Sequence, residues 1–301
     1  MRGRLKIGTA LAAAGVIVGL AAHSGISNKR TAGSPSPRSG AEAQTTSESR
    51  QATGASDTVG LRLPDLDQAT PSQLRIKFSG KPKRTGYRLG FRSAVRNIGK
   101  GPLELVGSRP DRGTPYMSIT QLIERVGRSP LAVPDVGRMR FVVSPDHRHW
   151  HYLDFERYVL MGYELRPVGS RKALRTDRKT GFCLGDRYPI HQRLPAAPPD
   201  RVFRRRCALN HPERLRLRVG ISVGYGDDYA AFLEGQDLRL SGLPGGRYVL
   251  VHRVNVDRLL REGRFRNNAA SVLLRLRWRG GIPIVRILAR CPNSDRCDPA
   301  G

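Results

Sequence analysis

An all-β sandwich with long loops is the fold this 301-residue chain predicts. Three observations carry that expectation. Apolar and polar residues alternate with a period of two in several short runs, as they do on half-buried strands. Gly- and Pro-rich turn signals separate those runs. No long helical period and no internal repeat interrupts them.

Taken from the N-terminus, residues 1–24 read as a signal peptide. Arg2, Arg4 and Lys6 precede an uncharged Ala/Gly/Val/Leu-rich run, and small residues follow it. That run falls short of the roughly 20 residues that span a bilayer, which favours a cleaved signal over a retained membrane anchor. No cysteine stands near the cleavage region, so lipid attachment there is not expected. Residues 25–59 are Ser/Thr/Ala/Gly-rich and almost free of large apolar side chains, the composition of a disordered linker. A single folded domain is expected over 60–298.

Within that domain, residues 74–78 alternate cleanly and 87–95 less so. Residues 97–102, Asn-Ile-Gly-Lys-Gly-Pro, form a turn before a short strand at 103–106. Residues 139–143 lead through Ser-Pro-Asp into a histidine-bearing strand, expected to run on through Phe155 to Leu165. Further strands are expected at 215–219, 238–240, 248–254 and 271–278, with a turn at 242–246.

The chain holds four cysteines, Cys183, Cys207, Cys291 and Cys297. In an exported protein an even set reads as disulfides, with three possible connectivities. Pairing Cys183 with Cys207 and Cys291 with Cys297 is favoured because each pair closes a local loop. No Cys-x-x-Cys spacing supports a zinc site instead.

The net charge is +28, mostly from arginine. Such a balance attracts polyanions. For an exported chain, anionic cell-wall or surface polymers, lipid headgroups and acidic proteins fit better than nucleic acid. The competing explanation is an arginine-rich surface that is merely solvated.

The chemistry concentrates in His147-Arg148-His149-Trp150-His151. Residues i, i+2 and i+4 of a strand share a face, so one face carries three imidazoles. Imidazole suits copper, zinc, iron and nickel. Cα atoms four residues apart on a straight strand lie about 13 Å apart. Convergence of three rings on one ion therefore predicts a bent or bulged strand, or rings that use different nitrogens.

These residues, in this order with others, resemble the lysyl oxidase family. The segment 147–155 is similar to its copper-binding His-x-His-x-His segment, and Lys179-Thr-Gly-Phe-Cys-Leu184 to the segment in which a lysine precedes Phe-Cys-Leu. Tyr225-Gly-Asp-Asp-Tyr229, followed by Leu233-Glu-Gly-Gln236, resembles the stretch around the cofactor tyrosine. Residues 246–255 and Arg266-Asn-Asn268 look like the family's late strands. Asn97-Ile-Gly99 fits the start of its catalytic domain.

The resemblance implies a copper-dependent amine oxidase. His147, His149 and His151 would bind copper. Lys179 and Tyr229 would form a lysyl tyrosylquinone cofactor. Tyr225 is the rival tyrosine, and the spacing to Gln236 favours Tyr229. Asp154, Asp186, Asp227 and Asp228 are the candidate general bases. The implied reaction turns a primary amine, peptidyl lysine included, into an aldehyde with release of ammonia and hydrogen peroxide. The charge would favour a lysine-bearing acidic protein as partner.

Ser144-Pro-Asp146 stands where animal members carry a Trp-His pair, and residues 201–206 add a basic stretch before Cys207. These departures fit a distant, bacterial-type member. The reading from another class is a non-enzymatic, metal-containing β-sandwich module for binding or adhesion at the cell surface. It draws on the Ig-like look of residues 248–268.

Overall fold

The computed structural model describes residues 60–80, 86–144, 147–163, 173–176, 181–190, 193–204, 206–233 and 235–298, with His147 and Ala173 described in backbone only. The expected signal and linker, 1–24 and 25–59, lie outside these residues. Among the described residues every regular element is a strand, so the all-β expectation holds. Every strand pairing among these residues is antiparallel.

Three sheets share one apolar core. The largest runs in the order Gly181–Phe182, His147–Leu153, Arg138–Ser144, Tyr116–Arg125, Leu103–Ser108, Arg216–Ile221. A second is built on the long strand Gly86–Asn97, flanked by Tyr225–Tyr229, Asp237–Arg239, Leu66–Gln68 and Ser72–Ser79. The third runs Ala173–Thr176, Glu156–Gly162, Gly246–Val254, Ala269–Arg279, Ile282–Cys291. Phe91, Trp150, Phe155, Tyr158 and Phe182 are fully buried in the shared core. Each such side chain stabilises the fold by about 1.5–3 kcal/mol.

The turn after Gly86–Asn97 shows how a short motif fixes a junction. Asn97 Oδ1 accepts from the N–H groups of Asp65 and Gly99, at 3.1 and 3.0 Å. Its Nδ2 donates to the carbonyls of Gly101 and Ile221, at 3.0 and 2.9 Å. Every hydrogen-bonding position of this buried amide is used, so it ties strands of two sheets together. Gly101 is required there: a Cβ would lie 2.1 Å from the Arg62 carbonyl oxygen.

Three expectations need correction. The histidine strand ends at Leu153 and does not continue to Leu165. Asp154 adopts φ 56°, and the chain crosses into another sheet as Glu156–Gly162. The left-handed residue breaks the pleat that apolar spacing alone would extend. The predicted bulge is also absent, since residues 139–144 and 147–152 pair without a register shift. Finally, Tyr116–Arg125 and Ile282–Cys291 are strands that the sequence reading passed over. Both disulfides are as expected: Cys183 with Cys207, and Cys291 with Cys297.

Candidate active site

Side-chain rotation, not backbone distortion, brings His149 and His151 together. His149 and His151 point from one face of a regular strand, yet their rings approach to 4.7 Å between centroids and their Nε2 atoms to 2.8 Å. Two ligands at a right angle about an ion with bonds of about 2.0–2.1 Å would lie roughly 2.9 Å apart. The pair therefore fits a metal such as copper. The His147 side chain lies outside the described residues, and no group of three His, Cys, Asp or Glu side chains is assembled among those described.

The histidine strand is held on both edges. On one side it pairs with Arg138–Ser144. On the other, Gly181 and Phe182 pair with Leu153 and Tyr152. Beyond them the Trp150 N–H donates to the Cys207 carbonyl at 3.0 Å, and Asn210 N–H to the Arg148 carbonyl at 2.7 Å. Trp150 Nε1 donates to the His211 carbonyl at 3.1 Å, under the Arg109 guanidinium. The Cys183–Cys207 bridge thus closes a loop already stitched to the strand.

Tyr229 is buried in the neighbouring sheet, opposite Ser93. Its hydroxyl accepts from the Cys183 N–H at 2.5 Å and donates to the Cys183 carbonyl at 3.1 Å. Phe182 meets its ring edge-on at 4.9 Å. Burial, reinforced by the nearby Asp227 carboxylate, pushes its pKa well above the usual phenol value. The ring is therefore a neutral phenol at ordinary pH.

Gly181 and Phe182 join the two halves. Phe182 packs on Tyr229, while a Cβ on Gly181 would lie 2.7 Å from the His151 Cβ. One dipeptide thus touches both the histidine pair and the tyrosine, and only glycine fits at its first position. Lys179 lies outside the described residues, as does Glu234.

The four candidate carboxylates separate clearly. Asp154 is exposed in the turn after the histidine strand. Asp186 is buried, but it accepts from the N–H groups of Val202, Phe203 and Ser222 and from the Ser222 hydroxyl. That is a structural role. Asp228 points outward to Arg92 at 2.7 Å. Asp227 alternates with it and points inward with Tyr229. Burial raises the Asp227 pKa to about 8, with Glu156 and Asp228 adding to it and the Arg187 ion pair at 3.3 Å opposing.

Sequence reading missed a second buried group behind this site. His252 Nε2 meets Glu156 Oε2 at 3.0 Å, and Gln68 Nε2 meets His252 Nδ1 at 2.9 Å. The amide donates to Nδ1, so a neutral His252 carries its proton on Nε2 and gives it to Glu156. Tyr158 donates to the same carboxylate at 2.8 Å, and Ser93 at 3.2 Å. His252 follows the apolar run Val249–Val251, so its polarity there was a signal, whereas Glu156 opens its strand beside the exposed Arg157 and nothing local marked it.

The lysyl oxidase family model matches residues 114–282, more than half of the chain. This chain belongs to the lysyl oxidase family. No curated protein matches the sequence. Lysyl oxidases are copper-dependent amine oxidases with a lysyl tyrosylquinone. The lysyl oxidase match encloses the histidine strand, the Gly181–Phe182 contact, the Cys183–Cys207 bridge and Tyr229. The central strand Gly86–Asn97, on which Tyr229 is held, lies before it.

Proposed function

We propose that the protein is an exported, copper-dependent amine oxidase that deaminates primary amines, peptidyl lysine among them. The observation that carries this reading is the Gly181–Phe182 contact with both His151 and Tyr229. His147, His149 and His151 would hold the copper. Lys179 and Tyr229 would form the quinone. Copper would supply oxygen activation for cofactor formation, and the quinone a carbonyl that accepts two electrons from the amine. Overall, amine, oxygen and water give aldehyde, ammonia and hydrogen peroxide.

Chain connectivity supports the lysine. Lys179 is two residues from Gly181, so their Cα atoms lie within about 7 Å of each other. The export reading draws on the sequence of residues 1–24 and on the absence of any free cysteine. The disordered-linker reading of 25–59 belongs to the same proposal.

The chain's own residues support Asp227 as the general base. Asp227 is buried on the face of its strand that carries Tyr229, with Arg187, Glu156 and Asp228 as its charged neighbours. Below about pH 8 this carboxyl keeps its proton; above that it is an anion able to take the substrate's α-proton. The kcat for a small amine at saturation is therefore expected to rise through an apparent pKa near 8. Asp227→Asn should remove that limb and lower kcat roughly 10²–10⁴-fold. A kcat flat between about pH 6 and 9 would overturn the assignment.

A tryptic mass spectrum of copper-loaded, oxygen-exposed protein tests the function itself. The expected result is a cross-linked peptide joining Lys179 to Tyr229. Two unmodified peptides, with copper verified in the protein, would reject the oxidase and leave a metal-containing binding module.

A further inference from the structure

The large sheet ends at Arg216–Ile221, and no strand among the described residues pairs with its outer edge. Along this strand Leu217 and Val219 are buried, while Arg216 and Arg218 are exposed. Beyond that edge runs the segment around Cys207. Between strand and segment lies a groove of about 880 Å³, with Leu184, Phe203 and Leu217 as buried apolar lining. Arg204, Arg206, Arg214, Arg216 and Arg218 all line it.

The wall opposite the strand is pre-formed. Arg206, Cys207 and Ala208 hold φ values of 30°, 49° and 53°. Such left-handed residues cost roughly 1–2 kcal/mol each and persist only when the surroundings fix them. Here the disulfide and the Trp150–Cys207 hydrogen bond do so. On the strand, Arg218 is already neutralised by Glu104 at 2.5 and 2.8 Å. Arg206 and Arg216 make no ion pair among the described residues.

An open strand edge offers main-chain donors and acceptors that a polypeptide satisfies by adding as a strand. Alternate side chains of an added strand project about 6.6–7 Å apart, the same period as Arg216 and Arg218 on the edge strand. We propose that this groove docks an extended acidic polypeptide, which lies along Arg216–Ile221 and sets alternate carboxylates against Arg206, Arg214 and Arg216. Leu184, in the groove lining, follows the residue whose backbone holds the Tyr229 hydroxyl. Resting on the oxidase reading, the docked segment is then the acidic flank of the substrate's lysine.

The test uses the full chain and fluorescence anisotropy. The probe is a labelled twelve-residue peptide with Glu at alternate positions around one lysine. Controls carry Gln for Glu, or N-methyl groups on alternate amides, and polyphosphate serves as an anion without a peptide backbone. Binding of the acidic peptide is expected, weakened about tenfold or more by Arg206→Glu with Arg216→Glu, by Gln for Glu, and by raising salt from about 50 to 500 mM. N-methylation should weaken it about as much. Both arginines are exposed, and an unchanged melting temperature shows that the variant is folded. Affinity untouched by the double charge reversal would overturn the groove. An N-methylated peptide and polyphosphate that both bind as tightly as the unmodified acidic peptide would overturn the polypeptide and leave a polyanion patch. Binding without the Lys179–Tyr229 cross-link sinks the oxidase and spares the groove; the cross-link without binding does the reverse.

Discussion

Tyr229→Phe is expected to abolish amine oxidation, by roughly 10⁴-fold or more, and to erase any quinone absorbance. Phenylalanine keeps the ring, its burial and its edge-on contact with Phe182. It removes only the oxygen from which a quinone is made. The structure also sets the accompanying stability cost. The hydroxyl satisfies both the N–H and the carbonyl of Cys183, so its loss leaves that backbone short of partners. About 1–3 kcal/mol follows, or roughly 2–4 °C of melting temperature per kcal/mol for a domain of this size. A protein that melts a few degrees lower, keeps its copper and oxidises nothing is the expected outcome. Substantial turnover in this variant would sink the cofactor assignment. Tyr225 supplies the comparison: its hydroxyl reaches only the carbonyls of Pro198 and Pro199, at 3.5 and 3.4 Å, so Tyr225→Phe should keep the absorbance.

Asp186→Ala is expected to be the most destabilising single change at this end of the molecule. One carboxylate, 3 % exposed, gathers Val202 N–H at 2.8 Å, Phe203 N–H at 3.0 Å, Ser222 N–H at 2.7 Å and the Ser222 hydroxyl at 2.8 Å. It fastens the segment before Cys207 to the residue that follows the edge strand. Removing it strands buried backbone donors, a loss of about 3–5 kcal/mol. The melting temperature should fall by about 6–20 °C. Asparagine recovers only part, because its amide turns a donor towards donors. Thermal denaturation of both variants decides the matter, and a shift under about 2 °C for Asp186→Ala would remove the clamp from the account.

These effects bear on what the sequence revealed about the site. Asp186 and Asp227 were both candidates, with Asp227 and Asp228 the closest in sequence to the tyrosine. They differ in what surrounds them, which spacing does not encode. Asp186 meets four donors, whereas Asp227 meets burial, the Arg187 guanidinium and one backbone donor, the Gly185 N–H at 3.3 Å. Glu156 and His252 are 96 residues apart and belong to adjoining strands of one sheet. No local pattern links them. No bulge forms in the histidine strand, and for His149 and His151 side-chain rotation is enough: their rings close to 4.7 Å over a regular ladder.

The sequence by itself determined the β class, the shared face of His149 and His151, and the pairing of four cysteines into two local loops. Each is a short-range property: a period of two assigns a face, and nearby cysteines close cheaply. Only the tertiary structure decided that Gly181–Phe182 touches both His151 and Tyr229, that Asp227 alone points inward beside the tyrosine, and that the arginine row lines a groove at an open sheet edge. Those relations depend on which surfaces meet across sheets. The pattern of a strand tells which residues turn inward, and the packing of distant strands tells what they meet.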